Sequence, residues 1–185
     1  MSDVQQDDAP TYESKDSDVQ TSEAPGDEGT VWGKTVTINR PREELYAYWR
    51  DFSNLASFME NIEAVTVIDA TRSHWKVQGP NGSYEFDSVL TEDEPGRVIA
   101  WQSEEGGDVA NSGRIEFIDA PPGRGTWVRA VMSYDPPAGF LGKMVAKVTQ
   151  KEPKIQSRRD LRRFKQLMET GEIATSTPPN REPHS

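Results

Sequence analysis

Histidine and cysteine, the residue types most often used as catalytic bases, nucleophiles and transition-metal ligands, are scarce in this chain. The chain has two histidines, His74 and His184, and no cysteine, so disulfides, thiolate metal sites, iron–sulfur clusters and a cysteine nucleophile are excluded. His184 lies next to the C-terminus, and His74 precedes Trp75 in an extended pattern that directs the two side chains to opposite faces. One solvent-facing histidine among surface-type acidic residues predicts no metal site and no metal cofactor.

Tyr134 is the weak catalytic candidate. A buried phenol needs a hydrogen-bond partner, and at the end of a strand it could orient the carbonyl group of a ligand. A structural tyrosine is the preferred interpretation, because the same predicted face offers only Ser88, with Gln102 a weaker candidate. Neither side chain is a base that could remove a proton from a substrate. The sequence therefore predicts no catalytic residue set and favours a role other than that of an enzyme.

A run of basic residues near the C-terminus recurs at helical spacing. The run consists of Lys143, Lys147, Lys151, Lys154, Arg158, Arg159, Arg162, Arg163 and Lys165. A solvated helix face is the preferred interpretation. The functional alternative is attraction of Arg158, Arg159, Arg162 and Arg163 to an anionic membrane or to an acidic partner, the chain's own N-terminal segment included. Nucleic-acid binding is not expected, because the domain is not basic overall and shows no stacking platform.

The charge distribution divides the 185 residues into a domain and two tails. Residues 1–30 carry nine acidic side chains and one lysine, or −8 of the net −10, which leaves −2 for residues 31–185. Such a segment is expected to be a disordered acidic tail. Residues 173–185, rich in Pro, Thr and Ser, are expected to be a second disordered tail. With no signal-peptide pattern and no run long enough to span a bilayer, a cytoplasmic domain over residues 31–172 is expected.

The periodicity of the middle region predicts the elements that must position any site. Val31–Ile38 alternates as a strand, and Asn39 or Arg40 is expected to cap a following helix with Pro41 in its first turn. A second short helix is expected around Asn54–Met59. Six strands then follow, separated by short turns, which indicates an antiparallel meander. They are predicted at Ile62–Asp69, Ser73–Gln78, Tyr84–Thr91, Val98–Ser103, Val109–Ile118 and Thr126–Tyr134.

The C-terminal region is expected to be helical in two parts, separated before Pro153. The first part carries an apolar stripe that includes Phe140, Met144 and Val148. The second part carries Leu161, Phe164, Leu167 and Met168 on one face and is expected to end at Gly171.

This order of elements resembles the helix-grip fold of the START and Bet v 1-like (SRPBCC) superfamily. The similarity is greatest to the bacterial polyketide cyclase/dehydrase and coenzyme Q-binding START-like group. The segments that carry it are Thr35–Met59 (TVTINRPREELYAYWRDFSNLASFM), Arg72–Trp75 (RSHW), Asp93–Trp101 (DEPGRVIAW), Gly123–Thr126 (GRGT), Tyr134–Pro137 (YDPP) and Asp160–Gly171 (DLRRFKQLMETG). The resemblance implies an α+β fold in which a curved antiparallel sheet of about seven strands wraps around a long C-terminal helix.

The same resemblance implies a cavity for a hydrophobic ligand between the sheet and the C-terminal helix. Strand parity, applied to the implied fold, selects the side chains that face it. The expected cavity residues are Phe52, Phe58, Met59, Trp75, Phe86, Ser88, Leu90, Trp101, Ile115, Phe117, Met132, Tyr134, Phe140, Met144 and Val148.

Three functions follow as hypotheses. The first is a non-catalytic binding or carrier domain for a lipid, quinone or polyketide-like molecule. The second is a cyclase or dehydratase that folds a reactive chain in the same cavity, with Tyr134 assisting enolisation. The third is a protein-interaction module that uses the basic helix face.

Overall fold

A seven-stranded antiparallel sheet forms the body of the protein, with strand order β1-β7-β6-β5-β4-β3-β2. The structure, a computed structural model, describes residues 30–79, 82–135 and 152–174. The strands are β1 (Thr30–Ile38), β2 (Ile62–Val67), β3 (Arg72–Gly79), β4 (Gly82–Glu94), β5 (Val98–Ser103), β6 (Ala110–Asp119) and β7 (Thr126–Asp135). Helix α1 (Arg42–Arg50) and a 3₁₀ helix (Phe52–Ser57) follow β1, and helix α2 (Glu152–Thr170) is the last element.

This architecture confirms the predicted α+β helix-grip fold. All six predicted strands after the two short helices are present, and their bounds differ from the prediction by a few residues at most. The register shifts between Ile62 and Ala64 and again between Leu90 and Glu92. Such bulges bend strands and increase their twist, which fits a sheet curled around its helices.

The helices cover one face of the sheet, which we call the concave face. Its paired strand positions are apolar: Ile99 lies opposite Ile115, and Phe117 lies opposite Val128, all of them buried. The opposite, outer face carries charged pairs such as Arg114 with Glu92. The alternation of the strands therefore separates an apolar interior from a polar exterior.

The prediction that Asn39 or Arg40 caps helix α1 is wrong. Pro41 occupies the cap position itself, and no side chain caps the helix. The residues expected to cap, Asn39 and Arg40, bind the end of α2 instead. Arg40 donates from Nε to the carbonyl oxygen of Met168 at 2.8 Å and from Nη2 to that of Glu169 at 3.0 Å. The last carbonyl groups of a helix lack internal partners, which explains why this arginine is drawn there.

Helix α2 packs on α1 and the 3₁₀ helix through an aromatic contact. The ring of Phe164, completely buried, lies 4.9 Å from that of Trp49 and 4.8 Å from that of Phe58 between centroids. The helix ends as predicted: Gly171 has φ of +79°, and its amide donates to the carbonyl oxygen of Leu167 at 2.8 Å. The predicted first helical part, with Phe140, Met144 and Val148, lies outside the described residues. The two expected tails, residues 1–30 and 173–185, also lie mostly outside them.

Candidate ligand site on the concave face

Four aromatic side chains contact one another on the β3–β5 side of the concave face. We call Phe52, Trp75, Phe86 and Trp101 the aromatic cluster. The rings of Trp75 and Trp101 stack with centroids 5.8 Å apart, and Phe52 meets them edge-on at 5.4 and 5.8 Å. All four side chains are almost completely buried. The 3₁₀ helix thus supplies the ring that closes this part of the interior.

A row of polar residues crosses the sheet next to this cluster. Ser73 lies opposite Ser88, and Ser88 lies opposite Ser103. The backbone N–H of Asn111 on β6 donates to Ser103 Oγ at 3.0 Å. These four residues, which we call the polar row, place hydroxyl and amide groups along one line of a largely apolar face. Tyr134 continues this line in the register of β7, opposite Asn111.

The polar row binds the two indoles of the aromatic cluster. Trp75 donates from Nε1 to Ser73 Oγ at 2.8 Å, and Trp101 donates from Nε1 to Asn111 Oδ1 at 3.0 Å. Gly113 makes the second bond sterically feasible, since a Cβ there would lie 2.2 Å from Cζ2 of Trp101. The absence of a side chain at this position lets the indole lie flat on β6.

Ser88 is the member of the row whose hydroxyl has no partner. Its side chain is 1 % exposed, and Oγ makes no hydrogen bond in the described structure. Ser88 sits on β4 between Phe86, which pairs with Trp75, and Leu90, which pairs with Trp101. A buried hydroxyl without a partner costs free energy, so Ser88 is the group on this face most in need of a ligand atom or a water.

The other expected cavity residues lie in three places. Ile115 and Phe117 are buried on β6, whereas Leu90 and Met132 are partly buried on the same face. Phe58 and Met59 belong to the core, and Phe58 packs between Trp49 and Phe164. The side chain of Tyr134 lies outside the described part of the structure. Which of these residues touch a ligand stays a prediction.

Sequence reasoning missed Ser73, Ser103, Asn111 and Lys34 on the concave face. In each case the alternation of side chains along the strand indicated the concave face. Asn111 has the parity of Ile115 and Phe117, and Ser103 that of Trp101. Lys34 has the parity of Val36 and Ile38. The prediction included Ser88 and Tyr134 but otherwise followed the apolar residues, which left out these four polar side chains.

One carboxylate on the helix side of the sheet is already engaged. Tyr46 and Arg50 of α1 both bind Asp93 of β4, the arginine from Nε at 2.8 Å. Burial, followed by the hydrogen bond to Asp93, raises the pKa of the Tyr46 phenol to about 12. This cluster fixes α1 on the sheet, and its carboxylate is not available as a general base.

A groove of about 480 Å³ lies on the outer face, and it differs from the predicted cavity. It is lined by charged side chains of β3 and β4 and by the loop after β5. Within it His74 Nδ1 lies 2.7 Å from Asp87 Oδ1, and Arg72 binds Glu104 at 2.6 Å. His74 therefore faces away from Trp75, as predicted. Its polar lining makes the groove unsuited to a hydrophobic ligand.

Two further findings concern the described residues alone. No group of three or more histidine, aspartate or glutamate side chains among them is arranged to hold a metal ion. No helix among them is long and apolar enough to cross a membrane.

Comparison with known proteins identifies the family. Residues 38–162 match the family model described as polyketide cyclase/dehydrase and lipid transport. The chain belongs to this family. A Deinococcus radiodurans protein of known crystal structure is 40 % identical, with a TM-score of 0.65 over 77 % of this chain and 99 % of that one. An uncharacterized 17.2 kDa protein of Streptomyces lincolnensis is 29 % identical over 74 % of this chain and 87 % of its own length.

More distant solved structures share this fold. A START superfamily protein from Mycobacterium smegmatis superposes with a TM-score of 0.59 at 16 % identity, over 74 % of this chain and 98 % of that one. The Zhui aromatase/cyclase of a Streptomyces species superposes with a TM-score of 0.56 at 16 % identity, over 80 % of this chain and 100 % of that one. At such identities the likeness is one of fold. The family and the fold indicate a scaffold suited to hydrophobic ligands.

Proposed function

We propose that this chain is a binding or carrier domain for a hydrophobic small molecule such as a lipid, a quinone or a polyketide-like compound. The observation that carries the proposal is the concave face itself, a largely apolar and aromatic wall crossed by the polar row. The buried, unpartnered Ser88 hydroxyl in that row adds a group that a ligand can satisfy.

The apolar wall and the polar row would contribute to ligand binding in different ways. Burial of apolar ligand surface contributes roughly 25 cal/mol per Å² removed from water. The polar row then fixes the orientation of the ligand, because a ligand placed the wrong way would leave the buried Ser88 hydroxyl unpaired. Affinity thus comes from the wall, and selectivity comes from the row.

A carrier role is preferred because the described concave face offers no free general base. Asp93 is held by Tyr46 and Arg50, and His74 faces outward. Proton abstraction requires a base within hydrogen-bond reach of the substrate. The serine and asparagine groups of the polar row orient a ligand without removing its protons.

The alternative is a cyclase or dehydratase that uses the same face. The register of Tyr134 opposite Asn111 favours it, since a phenol at that point would extend the polar row. This alternative predicts turnover of a poly-β-keto substrate and a strong loss of turnover in Tyr134→Phe. Absence of turnover in the wild-type protein, together with retained ligand binding, would exclude it.

Native mass spectrometry of the freshly purified full chain, followed by organic extraction, tests the proposal. We expect a co-purifying hydrophobic compound with a defined mass. Met132→Trp places bulk on the concave face and should reduce the bound fraction. Val131→Trp, the neighbouring substitution on the outer face, should not. An empty wild-type protein that also fails to take up a neutral hydrophobic dye would contradict the proposal.

A further inference from the structure

We propose that the ligand carries an anionic head group and that Lys34 recognises it. This inference rests on the proposed function and adds to it the chemical class of the ligand. It comes from the one ammonium group that the strand register places on the apolar concave wall beside β7.

The pairing of β1 with β7 places the side chain of Lys34 on the concave face. Lys34 lies opposite Ala130, two residues from the pair of Val36 with Val128. Ala130, Val36 and Val128 are at most 4 % exposed. Because paired residues of antiparallel strands share a face, the lysine stem follows the same apolar wall. Lys34 itself is partly buried.

Lys34 has no ion pair or hydrogen bond with any other residue in the described ranges. The strand carboxylates on this face are occupied by other cations: Asp93 binds Arg50 at 2.8 Å, and Asp119 lies 3.4 Å from Arg42. The partly buried stem of Lys34 follows the apolar wall, and its ammonium group is not a buried atom, so it is accessible to an anion that enters along this wall.

The segment between β7 and α2 offers no internal counter-ion for Lys34, because residues 136–151 contain Lys143, Lys147 and Lys151 and no aspartate or glutamate.

The position of Lys34 also indicates how such a ligand would lie. Lys34 is four residues along β1 from Thr30, which pairs with Tyr134 at the end of the polar row. At about 3.3 Å per residue, this separation is roughly 13 Å. The distance along the wall from Lys34 to the polar row therefore matches the length of a medium-length alkyl chain.

A pair of ligands that differ only in the head group tests the inference. Dodecanoate and 1-dodecanol are titrated at pH 8 into the full chain loaded with Nile red, a neutral dye, and displacement is recorded. We expect the wild-type protein to bind dodecanoate about tenfold more tightly than the alcohol, the usual scale of a charge-assisted hydrogen bond. Lys34→Met should remove this preference by weakening dodecanoate about tenfold while leaving the alcohol unchanged.

Two control variants accompany this test. Lys34→Arg should keep the preference, since it keeps the charge. Lys76→Met changes a lysine on the outer face, where Lys76 lies 3.6 Å from Glu63, and should also keep it. Equal affinity of the wild-type protein for the two ligands, or an unchanged preference in Lys34→Met, overturns the role of Lys34 and leaves the proposed function standing. Failure of the dye and of both ligands to bind overturns the two proposals together.

Discussion

At the scale of the residue, Trp101 shows how one small neighbour sets the geometry of the concave face. Gly113 leaves space for the indole on β6, and Asn111, two residues earlier, receives its N–H at 3.0 Å. Stacking on Trp75 then completes the ring contacts. The orientation of the largest ring on this wall therefore depends on a glycine and an amide of the same strand.

Gly113→Ala is expected to destabilise the protein by about 2 kcal/mol, the usual cost of overpacking a core. The added Cβ would lie 2.2 Å from Cζ2 of Trp101, so the indole must move and lose its bond to Asn111. Urea unfolding measures the loss, and near-ultraviolet circular dichroism reports the displaced indole. Gly33→Ala is the matched control, because its Cβ would lie at an ordinary 3.6 Å from Val131. Equal effects of the two substitutions would refute this account of Gly113.

Because of Tyr46, the stability of the folded protein is expected to depend on pH in the alkaline range. Burial and the hydrogen bond to Asp93 raise the pKa of this phenol to about 12, whereas an unfolded tyrosine ionises near pH 10. Its contribution is therefore fully present below about pH 10 and is lost as pH rises towards 12. After allowance for partial solvent contact, we expect a fall of roughly 1 kcal/mol in the free energy of unfolding. Urea midpoints between pH 9 and 12 should show this fall, and Tyr46→Phe should flatten it.

At the scale of the element, the last turn of α2 is held by the loop between β1 and α1. Arg40 binds the carbonyl groups of Met168 and Glu169, and the amide of Asn39 donates to Glu169 Oε1 at 2.7 Å. Lys165 adds a bond to the carbonyl oxygen of Thr37 at 2.7 Å. Residues far apart in sequence thus fix the position of α2 over one end of the sheet.

Arg40→Ala should loosen this attachment and cost about 1.5–3 kcal/mol, the range for hydrogen bonds made by a charged donor. Faster amide hydrogen exchange in the last turn of α2 should accompany the loss. Arg97→Ala serves as the control, because Arg97 pairs only locally with Glu94 in an exposed turn and should cost little. Unchanged exchange in α2 would mean that Phe164 and its aromatic contacts hold the helix without Arg40.

The elements and the inward parity of the strands were predictable because they depend on local periodicity. Trp75, Phe86 and Ile115 each fall on the predicted face. The partners of the polar groups were not predictable. Arg40 reaches residues 128 and 129 positions away, and the partner of Trp101 depends on the register between β5 and β6. Contacts between residues so far apart in sequence depend on the folded geometry, which cannot be read from local sequence patterns.

At the scale of the whole molecule, α2 presents an exposed cationic surface while its opposite side packs on the core. Arg158, Arg159 and Arg162 are exposed and have no ion pair within the described ranges, whereas Arg163 binds Glu60. The alternative to a solvated helix face, attraction to an anionic membrane, predicts that these three arginines make the contact.

Reversal of these charges tests the membrane contact. The variant Arg158→Glu, Arg159→Glu, Arg162→Glu should lose binding to vesicles that contain phosphatidylserine in a sedimentation assay, at roughly 1 kcal/mol per basic residue. The exposed arginines Arg97 and Arg129, changed to Glu together, provide the control. Sedimentation of the triple variant equal to that of the wild-type protein would show that α2 does not mediate such contact.

The central claim is that a hydrophobic ligand binds on the concave face of the sheet. Its most direct test is a titration of the full chain with 1-anilinonaphthalene-8-sulfonate, followed by the indole N–H resonances in a two-dimensional ¹H–¹⁵N NMR spectrum. Trp101 on β5 lies on the concave face, whereas Trp127 on β7 lies on the outer face. We predict a saturable shift of the Trp101 resonance with no change at Trp127. A shift confined to Trp127, or no saturable shift at Trp101, would contradict the account.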